Sequence, residues 1–236
     1  MGRRTGLRQR TRRHARPATA VRPARNGDRE APRVRDLPKP RKNRSAAGGA
    51  IQWAFQWPYR AILALLIWAG VRAWHLTVLS LALNVLTGAL IIRGDWFAAG
   101  WVLFAAGLCD VFDGSVARHR GQEKRSGAFM DSVLDRVSDA ILFSCLFWAL
   151  ARSGQQTDAA LALFTLVISL SVSHIRAEAE AVGVRLTEGF FQRLERFIAL
   201  MAGLLIPGAM TTVLVVLAGL GAVTVLQRGW SALVRA

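Results

Sequence analysis

From about residue 75 onward the chain alternates long apolar stretches with short polar joints. Six of these stretches can cross a bilayer, at about 76–93, 96–118, 127–151, 158–182, 194–206 and 208–227. A helix needs roughly 20 apolar residues to span the hydrocarbon, and only the fifth stretch is clearly short of that. Pro207 and Gly208 part it from the sixth, because proline removes a backbone donor and glycine tolerates a tight turn. Upstream, Ile51 to Val71 is apolar but broken by Gln52, Gln56, Pro58 and Arg60, with Trp53, Trp57, Tyr59 and Trp68 spread along it. Aromatic and basic residues favour the headgroup region, which predicts an interfacial helix, with a tilted span as the competing reading. The pattern as a whole predicts an all-α integral membrane protein with six transmembrane helices plus an N-terminal interfacial helix.

Charge changes this picture at one end only. The formal net charge is +16, yet residues 1–50 hold 16 Lys or Arg against 3 acids, leaving the other 186 residues at +3. Five of the seven prolines also fall there, with few large apolar side chains. The expected division is a disordered basic cytosolic tail over 1–48, a juxtamembrane helix over 49–74 and a six-helix membrane domain over 75–232. A basic arm beside anionic lipid gains about 1 kcal/mol per residue near the surface. This confinement to the tail excludes a nucleic-acid partner for the membrane domain. If the arm serves the membrane, deleting residues 1–45 lowers activity or insertion; no change in either sinks that reading.

The joints also set orientation, since short cytoplasmic loops are rich in Lys and Arg. One set carries His119, Arg120, Lys124 and Arg125, then Arg176, Arg185, Arg193 and Arg196, then Arg228 and Arg235. The opposite set holds only Arg93 and Arg152, beside Asp95 and Asp158. Both termini and the polar end of the second span therefore face the cytosol, at the cell membrane. For Arg185 and Arg193 this topogenic role is the better reading. Cys109 and Cys145 lack metal-ligand spacing and are read as small apolar residues, and His174 as a local polar contact.

Candidate chemistry lies in four aspartates set against apolar helices: Asp110 and Asp113 on one, Asp131 and Asp135 on the next. At 3.6 residues per turn, positions 110, 113, 114 and 117 share a face, as do 127, 131 and 135. Ionised carboxylates in an apolar setting are costly unless paired or metal-bound, so four together call for a compensating cation. Oxygen-only donors suit Mg or Mn better than zinc, and two such ions can clamp a diphosphate. Asp110, Asp113 and Asp131 are the first candidates as ligands. Asp135 can bind metal and also take a proton from an attacking hydroxyl. Gly114 and Ala117 leave room for a flat base or ribose, and Arg118 can answer a phosphate.

The run Asp110-Val-Phe-Asp113-Gly114-Ser-Val-Ala117-Arg118, then Gly127, Asp131 and Asp135, resembles the complete signature of the CDP-alcohol phosphatidyltransferases. The resemblance covers roughly residues 51–232. It implies six transmembrane helices with an interfacial helix, a homodimer, and Mg or Mn, as two ions, at the aspartates. It also implies the reaction: an alcohol attacks the β-phosphate of a CDP-linked lipid and CMP leaves, with Asp135 as base. CDP-lipid binding is then expected at Thr77, Asp110, Asp113, Gly114, Ala117, Arg118, Gly127 and Asp131.

For the acceptor, Ser173-His174-Ile175-Arg176-Ala177-Glu178-Ala179-Glu180, then Gly189 to Arg196, then Gln227-Arg228 resembles the bacterial phosphatidylinositol phosphate synthases. In that group the pattern is close to S-Y-x-K/R-A-R-A-E, G-F-x-x-R-x-E-R and Q-R. The resemblance implies that Arg176, Arg196 and Arg228 hold the phosphate of inositol 1-phosphate, with CDP-diacylglycerol as donor and phosphatidylinositol phosphate as product. Glu178 stands where the group has a basic residue, His174 where it has Tyr, and Ala73 and Trp74 precede Thr77 without the usual polar residue. Glu178 is expected to repel the acceptor or to pair with one of its arginines. The alternatives are glycerol 3-phosphate as acceptor and, in another class, a divalent-ion transporter. A transporter would spread its acids across the membrane depth rather than gather them near one side.

Overall fold

The computed structural model describes residues 46–121, 125–184 and 193–235. Residues 1–45 of the expected basic tail, Lys124, Arg185 and the stretch 189–192 lie outside the described residues, and residues 46–48 of that tail belong to the first helix. Seven helices make up the rest: α1 (Ala46–Trp68), α2 (Ala73–Arg93), α3 (Trp96–His119), α4 (Arg125–Arg152), α5 (Gln156–Ala181), α6 (Arg193–Leu205) and α7 (Met210–Arg235). Four of them, α2, α3, α5 and α7, are long and apolar enough to cross a membrane. Helix α4 has the length, at 28 residues, but its charged first half lowers its apolar content. Helix α6 has 13 residues, about 20 Å at 1.5 Å per residue, short of the roughly 30 Å hydrocarbon.

The joints behave as their residues dictate. At Gly94 the backbone turns left-handed, φ 87°, and the amides of Gly94 and Asp95 return to the carbonyls of Ile91 and Leu90. Only a residue without Cβ takes that conformation cheaply, so α2 ends there and α3 starts two residues later. Pro58 sits inside α1 without ending it, and Ala73 and Trp74, at the edge of the expected juxtamembrane segment, open α2.

The six helices α2 to α7 form a closed ring. Packing runs from α3 to α2, α2 to α4, α4 to α5, α5 to α7, α7 to α6 and α6 back to α3, with α1 outside against α3. One half of the ring's interior is a continuous apolar core that includes Leu103, Phe143, Leu146, Leu150, Ala162, Leu204 and Leu214. The outer surface stays apolar, with Trp101, Trp148, Phe164 and Val215 exposed, as lipid-facing walls require.

Small residues set the closest approaches. A Cβ on Gly88 would lie 2.7 Å from Cys145 Sγ, so α2 and α4 touch there without a side chain between them. A Cβ on Gly107 would run into the Phe197 ring, so α3 and α6 pack closest one turn before Asp110 and one residue after Arg196. Far from that level, Thr211 Oγ1 donates to Asp158 Oδ2 at 2.6 Å and joins the starts of α5 and α7.

Candidate active site

The signature carboxylates occupy the second half of α3 and the first half of α4, where the ring is polar inside. Oxygens of Asp110, Asp113 and Asp131 lie within 4.8 Å of one another, close enough to share an ion that takes oxygen ligands at about 2.0–2.6 Å. Asp113 is nearly buried and accepts a hydrogen bond from Thr77 Oγ1 at 2.8 Å, which ties α2 to the cluster. Carboxylates from two helices, Asp113 buried, Asp110 half-buried and Asp131 exposed, gather oxygen donors at one point and so fit a hard divalent cation. A positive group already sits among them. Arg193, at the start of α6, places Nη1 2.9 Å from Asp110 Oδ2 and Nη2 2.8 Å from Asp135 Oδ1. Asp110 and Asp135, from different helices, thus converge on one cationic position.

All of these carboxylates except Asp113 line one side of a cavity of about 1010 Å³ inside the ring. Asp110, Asp131, Asp135 and Arg193 stand on that side, and Arg176, Arg196 and Arg228 line the same space from α5, α6 and α7. Three arginines far apart in sequence therefore line one cavity with the carboxylates. Arg196 and Arg228 are buried, each 6% exposed. Nη2 of Arg196 lies 2.7 Å from Asp139 Oδ2, and Arg228 Nη1 donates to the Val172 carbonyl at 3.4 Å. Arg176 is more exposed and pairs with Glu180 at 3.0 Å, one turn along α5. Glu178, expected to pair with one of these arginines, lies instead 3.9 Å from His174. The reason is helical geometry: positions 174 and 178 share a face, as do 176 and 180.

The remaining signature residues lie outside this cavity. Gly114 and Ala117 are half-buried on α3, and Arg118 and Gly127 are exposed. A Cβ on Gly114 would meet only Arg118, with Nη1 3.3 Å away, so the face there is open apart from that side chain. Arg118 Nη2 donates to Ser115 Oγ at 2.9 Å, and Ser115 also binds the Tyr59 hydroxyl, whose ring stacks on Phe112 at 5.2 Å. Helix α1 therefore holds the arginine of the signature through a serine. Thr77 lines a small recess shared with Asp110, Asp131 and Asp135.

Two participants escaped the reading of the sequence. Arg193 looked like one more loop cation, and its partners are 83 residues upstream and 58 upstream, beyond any local pattern. Asp139 extends the α4 stripe by a further turn, at 131, 135 and 139, and that four-residue spacing was the available signal.

Comparison with known proteins identifies the family. Residues 71–227 match the family model of the CDP-alcohol phosphatidyltransferases. A phosphatidylinositol phosphate synthase of Mycobacteroides abscessus is 33% identical over 175 residues, covering 71% of this chain and 80% of that one. An archaetidylinositol phosphate synthase of Methanothermobacter thermautotrophicus is 37% identical over 140 residues, covering 57% and 69%. The crystal structure of a Mycobacterium tuberculosis phosphatidylinositol phosphate synthase with CDP-DAG bound superposes with a TM-score of 0.67 at 31% identity, over 73% of this chain and 92% of that one. The same enzyme in complex with manganese and citrate gives 0.67, over 73% and 87%.

Proposed function

The chain belongs to the CDP-alcohol phosphatidyltransferase family of integral membrane enzymes, and we propose that it transfers the phosphatidyl group of CDP-diacylglycerol to inositol 1-phosphate, giving phosphatidylinositol phosphate and CMP. The observation that carries this reading is the single cavity with Asp110, Asp131 and Asp135 on one side and Arg176, Arg196 and Arg228 on the other. A donor diphosphate needs cations held by carboxylates, a phosphorylated acceptor needs fixed cations of its own, and transfer needs both within one space. The names of the relatives support inositol 1-phosphate over other phosphorylated alcohols.

In this reading Asp110, Asp113, Asp131 and Asp135 hold two Mg or Mn ions. When bound, the metal neutralises the diphosphate and stabilises the leaving phosphate oxygen of CMP. The cytidine end lies along the open α3 face at Gly114 and Ala117, with Arg118, Thr77 and Gly127 beside it. Arg176, Arg196 and Arg228 grip the acceptor phosphate by charge-assisted hydrogen bonds. Asp135 then takes the proton of the attacking hydroxyl as its oxygen bonds to the phosphatidyl phosphorus and the bond to CMP breaks. Helices α2 to α7 cross the membrane with α1 in the interface, the site faces the cytoplasm, the basic tail precedes α1, and two copies associate.

Purified protein with CDP-diacylglycerol and Mn is expected to release CMP and form labelled lipid when given labelled inositol 1-phosphate. Labelled lipid from glycerol 3-phosphate, with none from inositol 1-phosphate, would reassign the acceptor. Metal flux in proteoliposomes without any nucleotide would point to transport instead.

A further inference from the structure

The acceptor side of the cavity contains a charge that the signature does not use. Asp139 lies one turn beyond Asp135 on the same face of α4 and lines the same cavity, its side chain 16% exposed. Its Oδ2 accepts two short hydrogen bonds, from Arg196 Nη2 at 2.7 Å and from Ser169 Oγ at 2.6 Å. Ser169 is fully buried on α5. Three helices therefore meet at one carboxylate oxygen, on the helix that also carries Asp131 and Asp135.

We propose that Asp139 is a positioning residue: with Ser169 it fixes the Arg196 guanidinium, and so sets where the acceptor phosphate sits relative to Asp135. This deepens the reading of Arg196 as a phosphate-holding residue and rests on it. An arginine side chain has large rotamer freedom, and a guanidinium locked beforehand loses little of it when an anion arrives. The lock is itself fixed, because the buried Ser169 hydroxyl donates to the same carboxylate oxygen. Asp135 and Asp139 share one rigid α4 face, so the register between proton acceptor and phosphate grip is set by one turn of helix. A misplacement of about 1 Å can lower turnover by roughly a hundredfold. An unanswered Arg196 buried inside the ring would also be costly, so one carboxylate serves both ends.

The test compares steady-state kinetics of Asp139→Ala, Ser169→Ala, Arg196→Gln and the double variant Asp139→Ala/Arg196→Gln, each in detergent with CDP-diacylglycerol, Mn and inositol 1-phosphate. Asp139→Ala is expected to raise KM for the acceptor about tenfold while leaving KM for CDP-diacylglycerol within about twofold, and Ser169→Ala to do the same more weakly. Asp139→Asn, which keeps an acceptor oxygen, should recover most of the loss. A residue acting through Arg196 adds nothing once Arg196 is gone, so the double variant should match Arg196→Gln. Ser169→Ala removes a single hydroxyl and keeps the test valid if Asp139→Ala does not fold. The proposal is overturned if Arg196→Gln raises acceptor KM and the Asp139 and Ser169 variants do not, or if their effects simply multiply with that of Arg196→Gln. Should Arg196→Gln itself leave acceptor KM unchanged, the phosphate-holding reading fails as well.

Discussion

The two sides of the cavity are built in opposite ways. The carboxylate side comes from helices consecutive in sequence, α3 and α4, and its members recur every three or four residues, so local periodicity alone places each pair on one stripe. The arginine side draws one residue each from α5, α6 and α7, which touch only because the ring closes through α7 and α6 back onto α3. The first is a motif and the second a consequence of tertiary packing. The carboxylate side is also electrically crowded, with Arg193 shared between Asp110 and Asp135, whereas each arginine opposite has an acceptor of its own: Glu180 for Arg176, Asp139 for Arg196 and the Val172 carbonyl for Arg228. One side is arranged to gather cations, the other to present them.

The sharpest way to break this division is Asp131→Asn. An amide keeps the shape and loses the charge, so the α3–α4 cluster keeps its packing while a ligand for a hard cation is weakened. CMP release is expected to fall by about a thousandfold or more, with little change in thermal midpoint, since removing one of several like charges relieves repulsion. Activity within tenfold of the parent enzyme would remove the carboxylate side from the chemistry.

Arg228→Gln probes the opposite side and should cost less. Its guanidinium is buried on α7, and the loss of one of three phosphate-facing charges is expected to raise acceptor KM by roughly ten- to a hundredfold with little effect on the CDP-lipid KM. Equal loss for both substrates would mean that the two sides do not act separately.

How far each side was legible follows from the same difference. Asp110, Asp113, Asp131 and Asp135 could be placed from spacing because a helix converts sequence intervals directly into a face. The six helices α2 to α7 were equally plain from their apolar runs, to within about three residues at every end but the last, where α7 runs on to Arg235. Arg176, Arg196 and Arg228 carried no such internal period, and only likeness to known enzymes singled them out from other loop arginines. Arg193 was missed because loop position argued for topology while its partners lay two and three helices upstream. Asp139 was missed because it falls outside the signature, although it continues the same four-residue stripe. The close approach of Gly107 to Phe197, which brings α6 against α3 at this level, has no sequence signal beyond a small residue in an apolar run.

Arg193 is where the comparison is least clean, since a cation stands on the anionic side. Arg193→Gln removes a positive charge from between Asp110 and Asp135, and two effects should follow. The half-saturating Mn concentration is expected to fall several-fold, because a competing charge is gone, while the thermal midpoint without metal falls because α6 loses its tie to α3 and α4. Titrating Mn by calorimetry and by melting would read both. A rise in the half-saturating concentration would instead make Arg193 a support for the metal ligands.

The smallest effect is expected at Glu178, where a carboxylate stands at a position that resembles a basic one in similar enzymes. Its side chain is 68% exposed and lies 3.9 Å from His174, while its neighbour Arg176 is already paired with Glu180. An exposed charge on the rim acts through water and is screened within about 10 Å at 0.1 M salt. Glu178→Arg adds two units of positive charge near the arginine side, so acceptor KM should drop by about twofold at low salt, with the gain vanishing near 0.5 M. A tenfold gain that survives high salt would place residue 178 in direct contact with the acceptor phosphate, which would move the edge of the arginine side outward by half a turn of α5.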